Sequence, residues 1–283
     1  MVTAKLLKSP FEYEFRAALN KAEKEIIFSS PYINDAGASV LIESIRNPDN
    51  KRIRILTNLS VSNIIDNVTQ PAALLKICAS FSNIVISSLE RLHAKVYIID
   101  VSFAVITSAN LTNGGLRSNF EYGVAIDDPE TIKTIKRDIL DYASLGHVFD
   151  RDFLVKIYGE SKKIEKVQTK NDTQRNSSDL KSLLASQKKL DTIFALRYED
   201  TKTRHSIFTK TVLFLLEKHK QLTTQELYVL VQGIHPEMCD DNIIYHNEKR
   251  WKIEIRQALF YWRRKDIVIG QGTSRNNTWI LKR

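Results

Sequence analysis

Residues 92–110 read LHAKVYIIDVSFAVITSAN, an apolar run that carries one histidine, one lysine and one aspartate. His93 and Lys95 are two apart, so on an extended chain both side chains leave the same face. Ser108 and Asn110 repeat that spacing at the end of the next run, which draws four polar groups toward one edge of a sheet. These residue types suit chemistry at a phosphodiester. Hydrolysing one requires a nucleophile, an acid for the leaving alkoxide and positive donors around the phosphorus. An imidazole, with an ordinary pKa near ~6.5, serves as nucleophile or acid. Lysine offers fixed charge to phosphate oxygens, and serine and asparagine aim neutral donors at developing charge. No metal ion and no cofactor is demanded by this set.

The spacing is His-x-Lys, four residues, Asp, six residues, then a Gly-Ser-x-Asn-like element, filled here by His93, Lys95, Asp100 and Thr107-Ser108-Ala109-Asn110. It resembles the HKD signature of the phospholipase D superfamily. The resemblance covers roughly residues 5 to 150 and includes IIFSSPYI, which is similar to the opening strand of that fold. It implies that Glu121, in SNFEYGV, is the acidic residue that follows the motif on the next strand, where a carboxylate can hold an imidazole in one tautomer. Asp100 is expected to orient backbone or turn structure rather than take part in chemistry. The one departure is Thr107, where the family usually has glycine; a β-branched residue there narrows the approach to the phosphate.

The family mechanism needs two histidines, one forming a phosphohistidine and one protonating the leaving group. None of His147, His205, His219, His235 or His246 is followed two residues later by lysine. A single copy therefore implies a homodimer with the active site at its two-fold interface, where the same residue enters twice.

Around the motif, the first half alternates strand-like and helix-like segments. KEIIFSSPYI, KRIRILTN and SNIVISS are short β-rich runs; AKVYIID, FAVITSAN and FEYGVAI follow closely, and PETIKTIKRDILDYASL has helical periodicity. The expected fold class is α/β, a phospholipase D-like mixed sheet flanked by helices, with the last three strands adjacent. GESKKIEKVQTKNDTQRNSSDL, residues 159–180, is polar and nearly free of apolar periodicity, which predicts a linker. The expected domains are 1–158, the nuclease-like part; 159–190, linker and connecting helix; and 191–283, a small winged helix-turn-helix domain.

That last expectation comes from the order of elements. SIFTKTVLFLLEKH, TTQELYVLVQGI and EKRWKIEIRQALFYWRRKDI read as three helices, with Thr223 and Glu226 at capping-box spacing. IVIG and TWILKR then make a hairpin. The run HPEMCDDNIIYHNEKRWKIEIRQALFYWRRKDIV resembles, loosely, winged-helix modules attached to several restriction enzymes. Trp251, Ile255, Ala258, Leu259 and Trp262 follow helical spacing and should face a core. Arg250, Lys252, Arg256, Arg263 and Arg264 on that helix, and Arg275 in the hairpin, are the candidate contacts to double-stranded DNA. Glu237, Asp240 and Asp241 lie close together but read as an exposed acidic loop rather than metal ligands.

The net charge is +9, and it is segregated: residues 1–150 hold 16 Lys/Arg against 17 Asp/Glu, the remainder 26 against 16. One-sided basic excess suits a polyanion partner. Cys78 and Cys239 lie far apart without metal-ligand spacing, which argues against a disulfide framework. No apolar stretch approaches the ~20 residues that span a bilayer, and MVTAKLLKSPFEYEF lacks a signal-peptide core, so the chain reads as cytoplasmic with no membrane partner. Together these imply a metal-independent, dimeric DNA endonuclease of type II-like restriction kind. A lipid phosphodiesterase shares the motif but gives the basic half no role; a non-catalytic dimeric DNA-binding regulator would not need His93, Lys95, Asn110 and Glu121 intact.

Overall fold

The computed structural model describes residues 4–170, 177–240, 243–245, 247–272 and 277–282, with the side chains of 201 and 202 left aside. The chain separates into two compact units, Met1–Phe194 and Ala195–Arg283. In the first, the strands are β1 (Ala4–Lys8), β2 (Glu25–Ser29), β3 (Arg52–Thr57), β4 (Ile84–Ser88), β5 (Val96–Ile99), β6 (Phe103–Thr107), β7 (Tyr122–Ile126) and β8 (His147–Phe149). The helices are α1 (Glu12–Asn20), α2 (Asp35–Ser44), α3 (Val61–Ile65), α4 (Pro71–Ser80), α5 (Pro129–Leu145), α6 (Arg151–Gln168) and α7 (Ser177–Glu199), the last continuing past the division.

The strands make one mixed sheet in the order β1-β7-β6-β5-β2-β3-β4-β8. β2, β3 and β4 run parallel and every other neighbouring pair is antiparallel. β2 is buried at all five positions, as its Ile-Ile-Phe core requires of a strand covered on both faces. On one face Phe15 of α1, Phe28 and Tyr97 pack with ring centroids 5.0 to 5.6 Å apart, and α1, α2, α4 and α6 lie side by side. On the other, Ile27, Val96, Ile98 and Ala104 meet Ile132 and Ile139 of α5. Full burial of each such side chain stabilises by roughly 1.5–3 kcal/mol. Asp128 caps α5 by accepting from the Thr131 N–H at 2.8 Å, with Pro129 at the first helical position.

The polar stretch 159–168, expected as linker, is instead the second half of α6. Its buried positions are Phe153, Leu154, Ile157, Glu160, Ile164 and Val167, one continuous helical stripe. Glu160 fills the gap between Ile157 and Ile164, so the stripe looks broken in the sequence. Its carboxylate is held by Lys163 at 2.8 Å and Lys189 at 3.7 Å, which lets a charge occupy a core-facing position.

The second unit contains α8 (Thr201–His219), β9 (Gln221–Thr223), α9 (Thr224–Ile234), α10 (Pro236–Cys239), β10 (Ile244–Tyr245), β11 (Glu248–Lys249), α11 (Arg250–Arg264), β12 (Val268–Gln271) and β13 (Thr278–Leu281). β12, β13 and β9 form an antiparallel sheet in that order. Thr223 and Glu226 make a reciprocal capping box at the start of α9. Trp251, Ile255, Ala258 and Leu259 are the buried face of α11. Trp279 of the hairpin is buried against Phe260 and donates to Thr224 Oγ1 at 3.0 Å. Arg204, 1% exposed, is neutralised by Glu254 and donates to the carbonyls of Tyr198 and Met238.

Candidate active site

Three strand ends gather the candidate residues. Val96 pairs with Ile106, and Thr107 with Gly123, so the run leading into β5, the run leaving β6 and the run leading into β7 lie side by side. His93 and Lys95 therefore stand just ahead of β5 rather than within it. Ser29 Oγ fixes this run by donating to the Ala94 carbonyl at 2.9 Å, and the Thr107 N–H donates to the Lys95 carbonyl at 3.1 Å. His93 is exposed. Lys95 is only 8% exposed; its Nζ donates to the His93 carbonyl at 2.9 Å and lies 3.3 Å from both ring nitrogens. Burial pushes the Lys95 ammonium below the ordinary lysine range, and the charge of Glu121 partly opposes that.

On the neighbouring ends, Ser108 Oγ donates to Glu121 Oε2 in a short contact and accepts from the Tyr122 N–H at 3.1 Å. Asn119 Nδ2 donates to the other Glu121 oxygen at 3.2 Å. Ser9 clamps the Glu121 peptide from β1's end, accepting its N–H at 2.9 Å and donating to its carbonyl at 3.0 Å. Asn110 is half-buried, and its Oδ1 is enclosed with no hydrogen-bond partner among the described residues. A carboxamide so placed is held ready to rotate a donor or acceptor onto an incoming group.

Several residues that no chemical pattern singles out position this set. Ser30 Oγ accepts from the Leu111 N–H at 2.9 Å, and buried Tyr97 donates to the Ala109 carbonyl at 2.7 Å. Burial raises the Tyr97 hydroxyl well above the usual tyrosine range, so it remains a donor. Gly115 lets the following turn close over Asn110: a Cβ there would come within 2.3 Å of the Asn110 carbonyl oxygen. Thr107 uses its hydroxyl on the Tyr122 carbonyl at 3.0 Å and the Ala109 N–H at 3.2 Å. Its cross-strand partner is Gly123, where a Cβ would lie 2.8 Å from Thr107 Cβ. The space that a β-branched residue takes on β6 is thus given back by glycine on β7.

Asp100 stands at the far end of β5, roughly 15 Å of strand from Lys95. Its oxygens accept the N–H groups of Glu23, Lys24 and Glu25, each at 2.8 Å. It adopts a left-handed backbone, φ 53°, which aspartate tolerates better than most residues.

In the second unit the candidate cations divide. Arg256 is engaged by Glu248 at 2.5 Å and the Tyr228 hydroxyl at 2.7 Å. Arg250 is largely buried beside Glu254, and Lys252 lies over the rings of Tyr228 and Trp251. Arg263 and Arg264 are exposed and line an open groove with His205, Gln257 and Phe260. Arg275 and Asp241 lie outside the described residues, and Glu237 sits 3.5 Å from the His235 ring. Among the described residues no three His, Cys, Asp or Glu side chains gather in a way that would hold a metal ion, and no helix is long and apolar enough to cross a membrane.

Residues 15–141 match the family model described as "Cardiolipin synthase, PLD-like domain". Among solved structures the chain is similar to Nuc from Salmonella typhimurium, a phospholipase D family member, at 18% identity over 53% of this chain and 99% of that one, TM-score 0.40. It is similar to NucT from Helicobacter pylori at 16% identity over 53% and 100%, TM-score 0.37. A third likeness, to phosphatidylserine synthase from Haemophilus influenzae, has 15% identity over 65% and 48%, TM-score 0.48. No curated protein matches.

Proposed function

The chain carries a phospholipase D-like domain over residues 15–141, and from that premise we propose that it is a metal-independent DNA endonuclease of type II-like restriction kind. His93 attacks phosphorus through a ring nitrogen, forming a P–N bond as the P–O bond to the leaving strand breaks. A second histidine gives its proton to the departing alkoxide, then takes one from the water that attacks phosphorus and breaks the P–N bond. Because the chain has one His-x-Lys, that second histidine is His93 of another copy in a homodimer. Lys95 and Asn110 donate to the phosphate oxygens, and Glu121 with Ser108 orients the imidazoles.

The observation that carries this reading is the buried Lys95 ammonium, 3.3 Å from both ring nitrogens of His93 and within the field of Glu121. A cation taken out of water beside an exposed imidazole suits an anion that arrives there. DNA as the substrate is supported by the second unit. The succession α8, β9, α9, α11, β12, β13 follows a winged helix-turn-helix, and exposed Arg263 and Arg264 suit phosphate contacts.

The test is to incubate the protein in EDTA with methylated and unmethylated plasmid and, separately, with phosphatidylcholine vesicles, beside a His93→Ala variant. Plasmid cleavage that the variant lacks is expected. A strict need for magnesium would sink the proposal, and turnover of phosphatidylcholine with intact plasmid would replace DNA by lipid.

A further inference from the structure

We propose that Gln257 is the residue through which α11 reads DNA sequence, by a bidentate pair of hydrogen bonds to the major-groove edge of an adenine. The proposal rests on the DNA reading above and adds a base to it. With Trp251, Ile255, Ala258 and Leu259 turned inward, helical spacing leaves Ile253, Gln257, Phe260 and Arg264 as one row on the opposite side, at intervals of four, three and four residues. Gln257, Phe260 and Arg264 are exposed, and with Arg263 and His205 they line one open groove.

The other polar side chains of the first three turns are already engaged. Arg256 is held by Glu248 and the Tyr228 hydroxyl, Arg250 is largely buried beside Glu254, and Lys252 lies over Tyr228 and Trp251. Glu254 is the one acidic residue of the helix. It faces Arg204 at 2.7 Å, so no carboxylate on the outward row repels phosphate. Gln257 makes no side-chain hydrogen bond among the described residues, which leaves a carbonyl acceptor and two amide donors open on one rigid group.

Spacing along the helix puts that group over bases rather than backbone. Arg263 and Arg264 occupy the last turn, six and seven residues beyond Gln257, which is about 9–10.5 Å along the axis. The major groove of B-DNA is ~12 Å wide. When the two arginines meet phosphates at its lip, Gln257 therefore lies inside it. There the carboxamide accepts from the adenine N6 amino group and donates to N7, a pairing that the other three bases do not present. Phe260, one turn along the same row, is held edge-on by Trp279 with ring centroids 5.8 Å apart. Its free edge suits the methyl group of a neighbouring thymine.

The test uses the full chain carrying His93→Ala, so that bound DNA is not cut, and selects duplexes from a library with randomised positions. Adenine is expected to be fixed at one position of the half-site. Adding Gln257→Ala should relax that position and weaken the selected site by about 5- to 100-fold, the weight of one bidentate base contact, with affinity for unrelated duplexes unchanged. Gln257→Glu should shift the preference toward cytosine. Replacing the selected adenine by 7-deazaadenine should weaken the parent protein and leave Gln257→Ala unaffected, a dependence that a merely structural glutamine would not show. Circular dichroism checks that each variant is folded. A preference that survives Gln257→Ala, or a loss equal on every sequence, overturns the assignment. Binding without any base preference, with plasmid cleavage by wild type intact, overturns base reading by α11 and spares the nuclease. Failure to bind any duplex overturns the DNA reading and the role of Gln257 together.

Discussion

Lys95 Nζ reaches the carbonyl oxygen of His93 at 2.9 Å and both of its ring nitrogens at 3.3 Å, so one buried cation holds the backbone and the ring of the same residue. Removing either partner should therefore cost chemistry before it costs the fold. His93→Gln is expected to lower the single-turnover rate by ~10³-fold or more, the loss of a covalent nucleophile. Lys95→Met should lower it by roughly 10²–10³-fold, the loss of one preorganised charge. Acid-quenched wild type should retain labelled phosphate on protein, and His93→Gln should not.

The alkaline limb of the rate should report Lys95. Burial depresses its ammonium and Glu121 opposes that, so activity should fall as pH rises, at a pH below the ordinary lysine range. In Glu121→Gln the opposing charge is gone, and the limb should move further down. A pH–rate profile with the limb unmoved, or moved up, contradicts this coupling.

Asp100→Ala should separate stability from chemistry. It leaves three N–H groups of β2's start without their charged acceptor and places alanine in a left-handed conformation. The expected cost is about 2–4 kcal/mol, read as a lower urea midpoint, while the rate per folded molecule stays within a few-fold of wild type. Asp100→Asn should recover part of the loss.

Glu12 gives an acid signature. It accepts from Arg117, with burial opposing and Arg16 adding a bond at 2.8 Å, and its pKa is lowered from 4.5 to about 2. The charged form is thus favoured in the folded state. The stability advantage of wild type over Glu12→Gln should be present above pH 4.5 and shrink as pH falls toward 2. Thermal melts from pH 7 to pH 2 check it; a difference constant with pH would show that the carboxylate charge contributes nothing.

For DNA binding, Arg263→Ala with Arg264→Ala should weaken affinity equally for unrelated sequences and reduce the slope of log affinity against log salt by about 2. Arg256→Ala should act first on stability, because Glu248 and Tyr228 already hold that guanidinium. Titration by anisotropy at several salt concentrations distinguishes the two.

What the sequence made legible is local. AKVYIID, FAVITSAN and FEYGVAI read as neighbouring strands because each is short, apolar and closely followed by the next, and their register places His93, Lys95, Ser108 and Asn110 at one sheet end, with Asp100 at the other. β1 and β8 were not legible: AKLLK and HVF have no strand pattern of their own, and only pairing with β7 and β4 makes them strands. Nor were Ser30, Tyr97 and Gly115, whose roles depend on backbone groups brought close by folding. On α11, periodicity identified the buried face, but Arg256 is tied by residues 8 and 28 positions away, which periodicity does not see.

The clasp between Ser9 and Glu121 joins residues 112 apart, and Ser30 and Leu111 are 81 apart. His93 and Lys95 precede Ser108 and Glu121 in the chain, so their surroundings are gathered only when the later strands close on the earlier ones. The bond between Ser9 and Glu121 forms only once β7 has closed against β1. The candidate site is thus a product of long-range closure, and a chain that stops short of β7 lacks the carboxylate that holds Ser108.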